Sequence, residues 1–306
     1  TSSMITQEFF ASDNMSGIYF HEEQKEILKK LESERNMIIS APTSFGKSLL
    51  IEEIVASHKY KNIILVEPTL ALLDETRKKL SRYISCYKLI VHTSQEPDYN
   101  RGNIFLFTAE RVLEYQKFPA IEFFVLDEFY KLSKKRDDER ADLLNNAFHN
   151  IIKKYNCKFM LLGPNIDDIS TGFAHKYDAE FFKTNYSLVL NEEINVYEQY
   201  QGQFGDRGEK KIYKQKVLFE LLSELNGQPT LVFCSSPDRV RKLSKAYVEF
   251  LKSENKKQGD GQVPLIEWID KNVTSNWSLS ELLRYSVGIH DGSLTKHITS
   301  SIINYF

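Results

Sequence analysis

The chain has 306 residues, of which 42% are hydrophobic and 27% are charged, and its 40 basic and 42 acidic side chains give a formal net charge of −2. This length and composition fit two folded domains and exclude global disorder, a membrane-spanning chain and a disulfide-rich secreted protein. Because no secretory signal is visible, we expect a reduced, cytoplasmic protein with no membrane partner, in which any phosphate-binding surface is a local groove.

Short apolar runs alternate with amphipathic stretches in the first part of the chain, which is typical of a parallel α/β sheet. The predicted strands are Asn36–Ser40, Asn62–Glu67, Lys88–His92, Asn103–Thr108, Phe123–Asp127 and Lys158–Leu162. The predicted helices are His21–Leu31, Lys47–Ser57, Leu70–Tyr83, Ala109–Tyr115 and Asp138–Tyr155.

The alternation begins again after a polar, glycine-bearing segment at residues 202–209, which is the best candidate for a linker. Helices are predicted at Tyr213–Leu225, Pro237–Lys252 and Ser278–Tyr285, the last from a capping box, and a strand is predicted at Thr230–Cys234. We therefore expect a first domain at 1–195, a linker at 196–212 and the N-terminal part of a second domain at 213–306.

The segment Ala-Pro-Thr-Ser-Phe-Gly-Lys-Ser, residues 41–48, follows a predicted strand and begins a predicted helix. In that setting backbone N–H groups and the helix N-terminus can surround a phosphate. Lys47 would reach the β- and γ-phosphates of ATP, and the Ser48 hydroxyl would bind Mg²⁺. The predicted phosphate-loop residues are Thr43, Ser44, Phe45, Gly46, Lys47 and Ser48. The alternative is a polar turn in which Gly-Lys-Ser is incidental, and Ala41 does replace the usual first glycine.

Two carboxylates, Asp127 and Glu128, end the apolar strand at residues 123–127. The carboxyl ends of parallel strands share one edge of the sheet, so Asp127 can lie beside the phosphate loop. Asp127 would then hold Mg²⁺ through water, and Glu128 would accept a proton from the attacking water. The alternative is an ordinary solvated strand end.

Together these motifs resemble those of superfamily 2 helicases of the DEAD/DExH type, closest to the subgroup that includes antiviral and exosome-associated enzymes. The resemblance implies a RecA-like sheet domain followed by a second, incomplete RecA-like domain, with Mg-ATP bound between them. It also implies that Gln24 reads the adenine and that Tyr19 or Phe20 stacks on it. The nucleic-acid contacts that it implies are Pro68, Thr69, Thr108, Arg111, Ser235 and His290. Taken singly, each of these could be an ordinary cap, helix or loop residue.

The sequence departs from the family pattern in several places. The tetrad reads Asp127-Glu128-Phe129-Tyr130, and Gly163-Pro164-Asn165 stands where the family has Ser-Ala-Thr. Because no fifth or sixth motif is found before Phe306, we expect the second domain to be cut off and this chain to be a weak ATPase. Both variant motifs are similar to those of some bacterial helicase-like proteins linked to antiphage defence.

These observations predict a nucleic-acid-dependent ATPase motor that moves on or unwinds DNA or RNA, single-stranded where it is gripped. A nucleotide-regulated binding module without unwinding activity is the alternative. A small-molecule kinase would leave the segments at Thr69 and Thr108 unexplained. The choice between DNA and RNA stays open, because phosphate contacts are common to both.

Overall fold

The computed structural model describes residues 9–33, 35–132, 139–164, 166–186, 194–199, 209–225, 228–256, 263–274 and 277–305. The chain divides into two compact units, Thr1–Glu192 and Glu193–Phe306. Within those described ranges, every helix is too short or too polar to cross a lipid bilayer.

A seven-stranded parallel sheet forms the first unit. Its strands are β1 Asn36–Ser40, β2 Asn62–Val66, β3 Tyr87–Ile90, β4 Gly102–Phe107, β5 Phe123–Asp127, β6 Lys158–Gly163 and β7 Ala179–Lys183. Their spatial order is β3-β4-β2-β5-β6-β1-β7, with all neighbouring pairs parallel. The predicted α/β fold with a parallel sheet is thereby confirmed, and every predicted strand of this unit is present.

Helices cover both faces of this sheet. They are α1 Glu22–Glu32, α2 Lys47–Ala56, α3 Leu70–Leu80, α4 Ala109–Glu114, α5 Glu139–Tyr155 and α6 Thr171–Lys176. Successive strand residues point to opposite faces. Met37 and Ile39 accordingly belong to one buried cluster, with residues of α1, α2 and α3, while Ile38 belongs to the other, with residues of α4 and α5.

Strand β7 was not predicted. Its sequence, Ala-Glu-Phe-Phe-Lys, places charges at Glu180 and Lys183, and none of its residues is fully buried. It pairs with β1 alone, at the edge of the sheet. An edge strand that is only partly covered lacks the continuous apolar run by which the inner strands are recognised.

The described part of the second unit is helical. Its helices are α7 Val196–Gln199, α8 Glu209–Glu224, α9 Pro237–Ser253, α10 Val263–Asn272, α11 Ser278–Arg284 and α12 Lys296–Tyr305. A small apolar core joins α9 to α12 and includes Val248, Ile269, Leu282 and Ile302. The helices α10 and α12 were not predicted, and the N-cap of α11 is Trp277 rather than Ser278.

The prediction of a strand at Thr230–Cys234 is wrong. These residues have no regular secondary structure, and Leu231 and Phe233 are 96% and 90% exposed. A strand is stabilised by hydrogen bonds to a neighbour, and the described residues of this unit include no other strand to supply them. A RecA-like fold for residues 213–306 therefore stays a prediction.

Candidate nucleotide site at the carboxyl edge of the sheet

The strand order places the phosphate loop close to the acidic pair. In register, Ser40 of β1 pairs with Gly163 of β6, and Leu162 of β6 pairs with Asp127 of β5. Only β6 separates the two motifs, and neighbouring strands lie about 4.8 Å apart. Residues 41–48 and Asp127 are therefore separated by roughly two strand spacings on one edge of the sheet.

The phosphate loop bends sharply between β1 and α2. Thr43–Phe45 forms a 3₁₀ turn, and Gly46 takes the left-handed conformation, with φ at 82°, before α2 begins at Lys47. A side chain at Gly46 would be strained by that φ, and its Cβ would lie 2.7 Å from Nε2 of Gln24. Thr43 and Ser48 are exposed, whereas the Phe45 ring is fully buried, so Phe45 contributes backbone only.

The Lys47 ammonium lies over its own loop. Its Nζ donates to the carbonyl oxygens of Ala41 and Pro42 at 2.8 and 2.9 Å. Burial lowers the pKa of Lys47, while the charges of Asp127 and Glu128 raise it. The two carboxylates are thus near enough to stabilise the charged lysine, and a phosphate would take the place of the loop carbonyls as its partner.

Asp127 and Glu128 are fixed by an unusual backbone. Glu128 has φ of 56°, in the left-handed region that a residue with a Cβ rarely adopts. The Asp127 Oδ1 accepts a hydrogen bond from the Glu128 N–H at 2.8 Å. Strain of this kind is retained where a side chain must be aimed, which is consistent with a functional role for Glu128.

The oxygen donors at this edge fit a hard divalent cation such as Mg²⁺. Ser48 lies in the first turn of α2, and Asp127 ends β5. A buried carboxylate oxygen nearby, Oε2 of Glu67, has no hydrogen-bond partner in the part of the chain that the structure describes. The charge of Asp127 acts on the same carboxyl. Among the described residues, no group of three or more His, Cys, Asp and Glu side chains forms a complete metal site. A cation here would thus need ligands from water and from the nucleotide.

The amide of Gln24 is engaged within the protein. Its Nε2 donates to the Phe45 carbonyl at 2.8 Å, and its Oε1 accepts from the His21 N–H at 3.1 Å. Gln24 thus joins the start of α1 to the phosphate loop. The His21 ring packs edge-on against Phe45 and stacks on Tyr186, with ring centroids 4.6 and 4.3 Å away.

Stacking of Phe20 on an adenine is contradicted by the structure. Phe20 is 3% exposed and packs in a small apolar cluster with Met15 and Ala56. Tyr19, at 56% exposed, keeps its ring accessible. His21 and Tyr186 were missed as neighbours of the loop, because their pairing depends on the path of the chain after the unpredicted strand β7.

Four of the expected nucleic-acid contacts, Pro68, Thr69, Thr108 and Arg111, lie near this edge. Thr69 is exposed and caps α3, accepting from the Leu72 N–H at 3.3 Å. Thr108 is the N-cap residue of α4, and the Arg111 guanidinium donates to the Val91 carbonyl at 2.8 Å. Because β2 and β4 are neighbours, the segment that begins at Pro68 and the segment that begins at Thr108 leave the sheet side by side.

Ser235 and His290 lie in the second unit. Ser235 is exposed at the end of the non-strand segment, and His290 is exposed in a loop. Beside His290, the Asp291 carboxylate is buried and accepts hydrogen bonds from the Arg241 guanidinium and from Ser293. Arg241 therefore has a structural partner within this unit.

Residues 21–162 match the DEAD/DEAH box helicase family. The matched segment lies within the first unit and contains both residues 41–48 and the pair Asp127-Glu128. The chain is also similar to anti-bacteriophage protein B of Escherichia coli strain K12, with 28% identity over 311 residues. The aligned region covers 98% of this chain but only 40% of that relative.

Proposed function

We propose that the protein is an ATPase motor of the helicase or translocase kind, which couples hydrolysis of Mg-ATP to movement on DNA or RNA. The observation that carries this proposal is the alignment of strand ends. One edge of a parallel sheet holds the P-loop after β1, the acidic pair after β5 and two threonine-led segments after β2 and β4. The family match to residues 21–162 supports the same reading.

The proposed roles follow from the positions of the side chains. Lys47 exchanges its loop carbonyls for phosphate oxygens and neutralises charge that develops on them. Ser48 and Asp127 would hold the Mg²⁺ that accompanies ATP, and the cation would polarise the terminal phosphate. Glu128, aimed by its left-handed backbone, takes the proton of the attacking water.

For nucleic acid, we propose that Thr69, Thr108 and Arg111 contact successive phosphates of a single strand. These contacts lie on the backbone and do not read bases, so they serve DNA and RNA equally. A role in defence against bacteriophages is also proposed, because the E. coli relative is named as an anti-bacteriophage protein.

A nucleotide-regulated binding module without unwinding is the second candidate. The Gly163-Pro164 segment favours it, because it lacks the two hydroxyls that the helicase resemblance associates with strand separation. In this version the edge of the sheet binds the same ligands, but hydrolysis releases the strand without moving it.

A steady-state ATPase assay tests the proposal, with single-stranded DNA and RNA added separately. We expect a low basal rate that either strand can stimulate, because the proposed contacts lie on the phosphate backbone. We also expect loss of nucleotide affinity in Lys47→Ala. Lys59→Ala is the matched control, since Lys59 is an exposed lysine beyond α2. Equal nucleotide affinity of the wild type and Lys47→Ala would refute the assignment of the P-loop. Strand-stimulated hydrolysis without strand displacement would favour the second candidate.

A further inference from the structure

Glu67 lies between the two halves of the proposed site. In register, Val66 of β2 pairs with Phe107 of β4 on one side and with Leu126 of β5 on the other. One residue further along, Glu67 is flanked by Thr108 and Asp127. The Glu67 N–H continues the ladder by donating to the Phe107 carbonyl at 3.1 Å.

The face of the sheet to which Glu67 points is also defined. Side chains at alternate positions of a strand share a face. Ile63 and Leu65 of β2 lie in the same buried cluster as Phe123 and Val125 of β5. Glu67 and Asp127 continue these two series, so both carboxylates project from the face that α2 and α3 cover. They are neighbours on adjacent strands, about 5 Å apart at the backbone.

Of the two oxygens of the Glu67 carboxyl, one accepts a hydrogen bond that the structure shows. Glu67 is 5% exposed, and its Oε1 accepts a hydrogen bond from the hydroxyl of Thr76 on α3, at 2.5 Å. Its Oε2 is buried and has no hydrogen-bond partner among the described residues. A buried carboxylate oxygen without a donor costs free energy, and cores rarely retain one without a use.

We propose that Glu67 is a positioning residue that couples the cation side of the ATP site, at Asp127, to the strand-binding segments that begin at Thr69 and Thr108. This inference rests on the proposed function. On one side Glu67 adjoins Asp127, and on the other its bond to Thr76 holds α3, the helix that Thr69 caps.

We attribute the coupling to the electric field of a cation bound at Asp127. Asp127 is an anion on the strand beside β2, so its own field repels the Glu67 carboxylate. Positive charge held at Asp127 reverses that field and attracts the unpartnered Oε2 of Glu67, directly or through water. Any shift of this carboxyl is transmitted to Thr76 and so to the start of α3. Removing the charge while keeping the shape should therefore uncouple the two sites.

The test compares Glu67→Gln with Glu75→Gln. The first keeps an oxygen that can accept from Thr76, and the second removes the same charge from an exposed position on α3. Fluorescence anisotropy of labelled oligothymidine and oligouridine would give the strand affinity with Mg²⁺ alone and with Mg²⁺ plus a non-hydrolysable ATP analogue. Calorimetry would give the affinity for Mg-ADP.

We expect the nucleotide to change the strand affinity of the wild type by about 5-fold or more, which is the usual scale of coupling between sites. In Glu67→Gln this factor should fall to within about 2-fold of unity, Mg-ADP should bind several-fold more weakly, and strand affinity without nucleotide should be kept. Glu75→Gln should behave as the wild type.

Wild-type coupling in Glu67→Gln, or an equal loss in Glu75→Gln, would overturn the inference, as would a wild type that binds both ligands without coupling. The proposed function fails by a different result. If the wild type binds no strand, or if Lys47→Ala binds nucleotide normally, the motor assignment is wrong. The inference about Glu67 would then be wrong as well.

Discussion

At the scale of single residues, the conformation of Glu128 sets function against stability. Its φ of 56° costs on the order of 1 kcal/mol in a residue with a Cβ and almost nothing in glycine. Glu128→Gly should therefore raise the free energy of unfolding by about 1 kcal/mol while abolishing hydrolysis.

The control for this prediction is Glu128→Gln, which keeps the Cβ and removes the base. It should lower the ATPase rate by about 10²-fold or more without the gain in stability. Urea unfolding and steady-state ATPase assays of both variants would check the pair. Equal stability of the two variants would show that the backbone at Glu128 is not strained.

The Glu67 carboxyl predicts a pH dependence of stability. Burial raises the pKa of Glu67 to about 7, and the nearby charge of Asp127 contributes in the same direction. Because the folded state holds the proton more tightly than the unfolded chain, the stabilising contribution is complete below about pH 4.3 and is lost as the pH rises through about 7.

Glu67→Gln has no proton to lose, so it should gain stability over the wild type as the pH rises. The gain at about pH 8 relative to about pH 5 should reach 1–3 kcal/mol, the scale of a shift of one to two pKa units. Urea unfolding at both pH values measures it, with Glu75→Gln as the exposed control. A difference between Glu67→Gln and the wild type that does not change with pH would contradict the prediction.

At the scale of elements, the end of β6 and the turn after β5 fit each other. A Cβ at Gly163 would lie 3.0 Å from Cδ1 of Phe129 and 3.0 Å from Cδ1 of Ile166. Ile166 is itself held to Ser40, whose hydroxyl donates to the Ile166 carbonyl and accepts from its N–H, both at 2.8 Å. The Phe129 ring thus occupies space that a serine at position 163 would need. Phe129 of the variant tetrad and Gly163 of the segment that replaces Ser-Ala-Thr therefore pack against each other.

Restoring the family residue at position 163 should accordingly destabilise the protein. Gly163→Ser places a side chain against the Phe129 ring and should cost about 1–3 kcal/mol, as overpacking does. Phe129→Ala removes the ring and leaves a cavity. In a protein that carries Phe129→Ala, Gly163→Ser should therefore destabilise the fold less than it does in the wild type. A double-mutant cycle from urea unfolding gives the interaction energy, which we expect to exceed about 0.5 kcal/mol. Strict additivity would mean that the contact is relieved elsewhere.

The elements also show where sequence reasoning succeeds. Strands β1 to β6 were predictable because each is rich in apolar residues. The P-loop was predictable because its glycine and lysine stand between a strand and a helix. Glu67 was not recognised as part of the site, because its position depends on which strands flank β2. The engagement of Gln24 with Phe45 could not be predicted either, since it depends on how α1 approaches the loop. Asn165, the last residue of the segment that replaces Ser-Ala-Thr, lies outside the described residues.

At the scale of the whole molecule, the two units differ in how well they bury apolar surface. In the first unit, strand residues from β1 to β6 fill two continuous clusters, one on each face of the sheet. In the second unit, an apolar core forms among helices, while Leu231, Val232 and Phe233 stay exposed. The segment at Thr230–Cys234 keeps the composition of a strand without a sheet to join, which explains why its sequence predicted one.

This exposed segment should make the chain self-associate. An apolar, uncharged run with free backbone edges is a template for pairing with another strand. Phe233→Lys together with Leu231→Lys should therefore weaken self-association by about 10-fold or more, since charge at an edge opposes strand pairing. Sedimentation velocity over a range of protein concentrations would measure the change.

The matched control is Ile303→Lys, which adds a lysine at a position that is 58% exposed on the helix α12, where the backbone is already hydrogen-bonded. If pairing through the extended segment drives association, this control should associate as the wild type does. If Ile303→Lys dissolves the aggregates equally well, general charge repulsion is responsible rather than strand pairing. A wild type that stays monomeric at every concentration would show that Leu231 and Phe233 find their partners within the same chain.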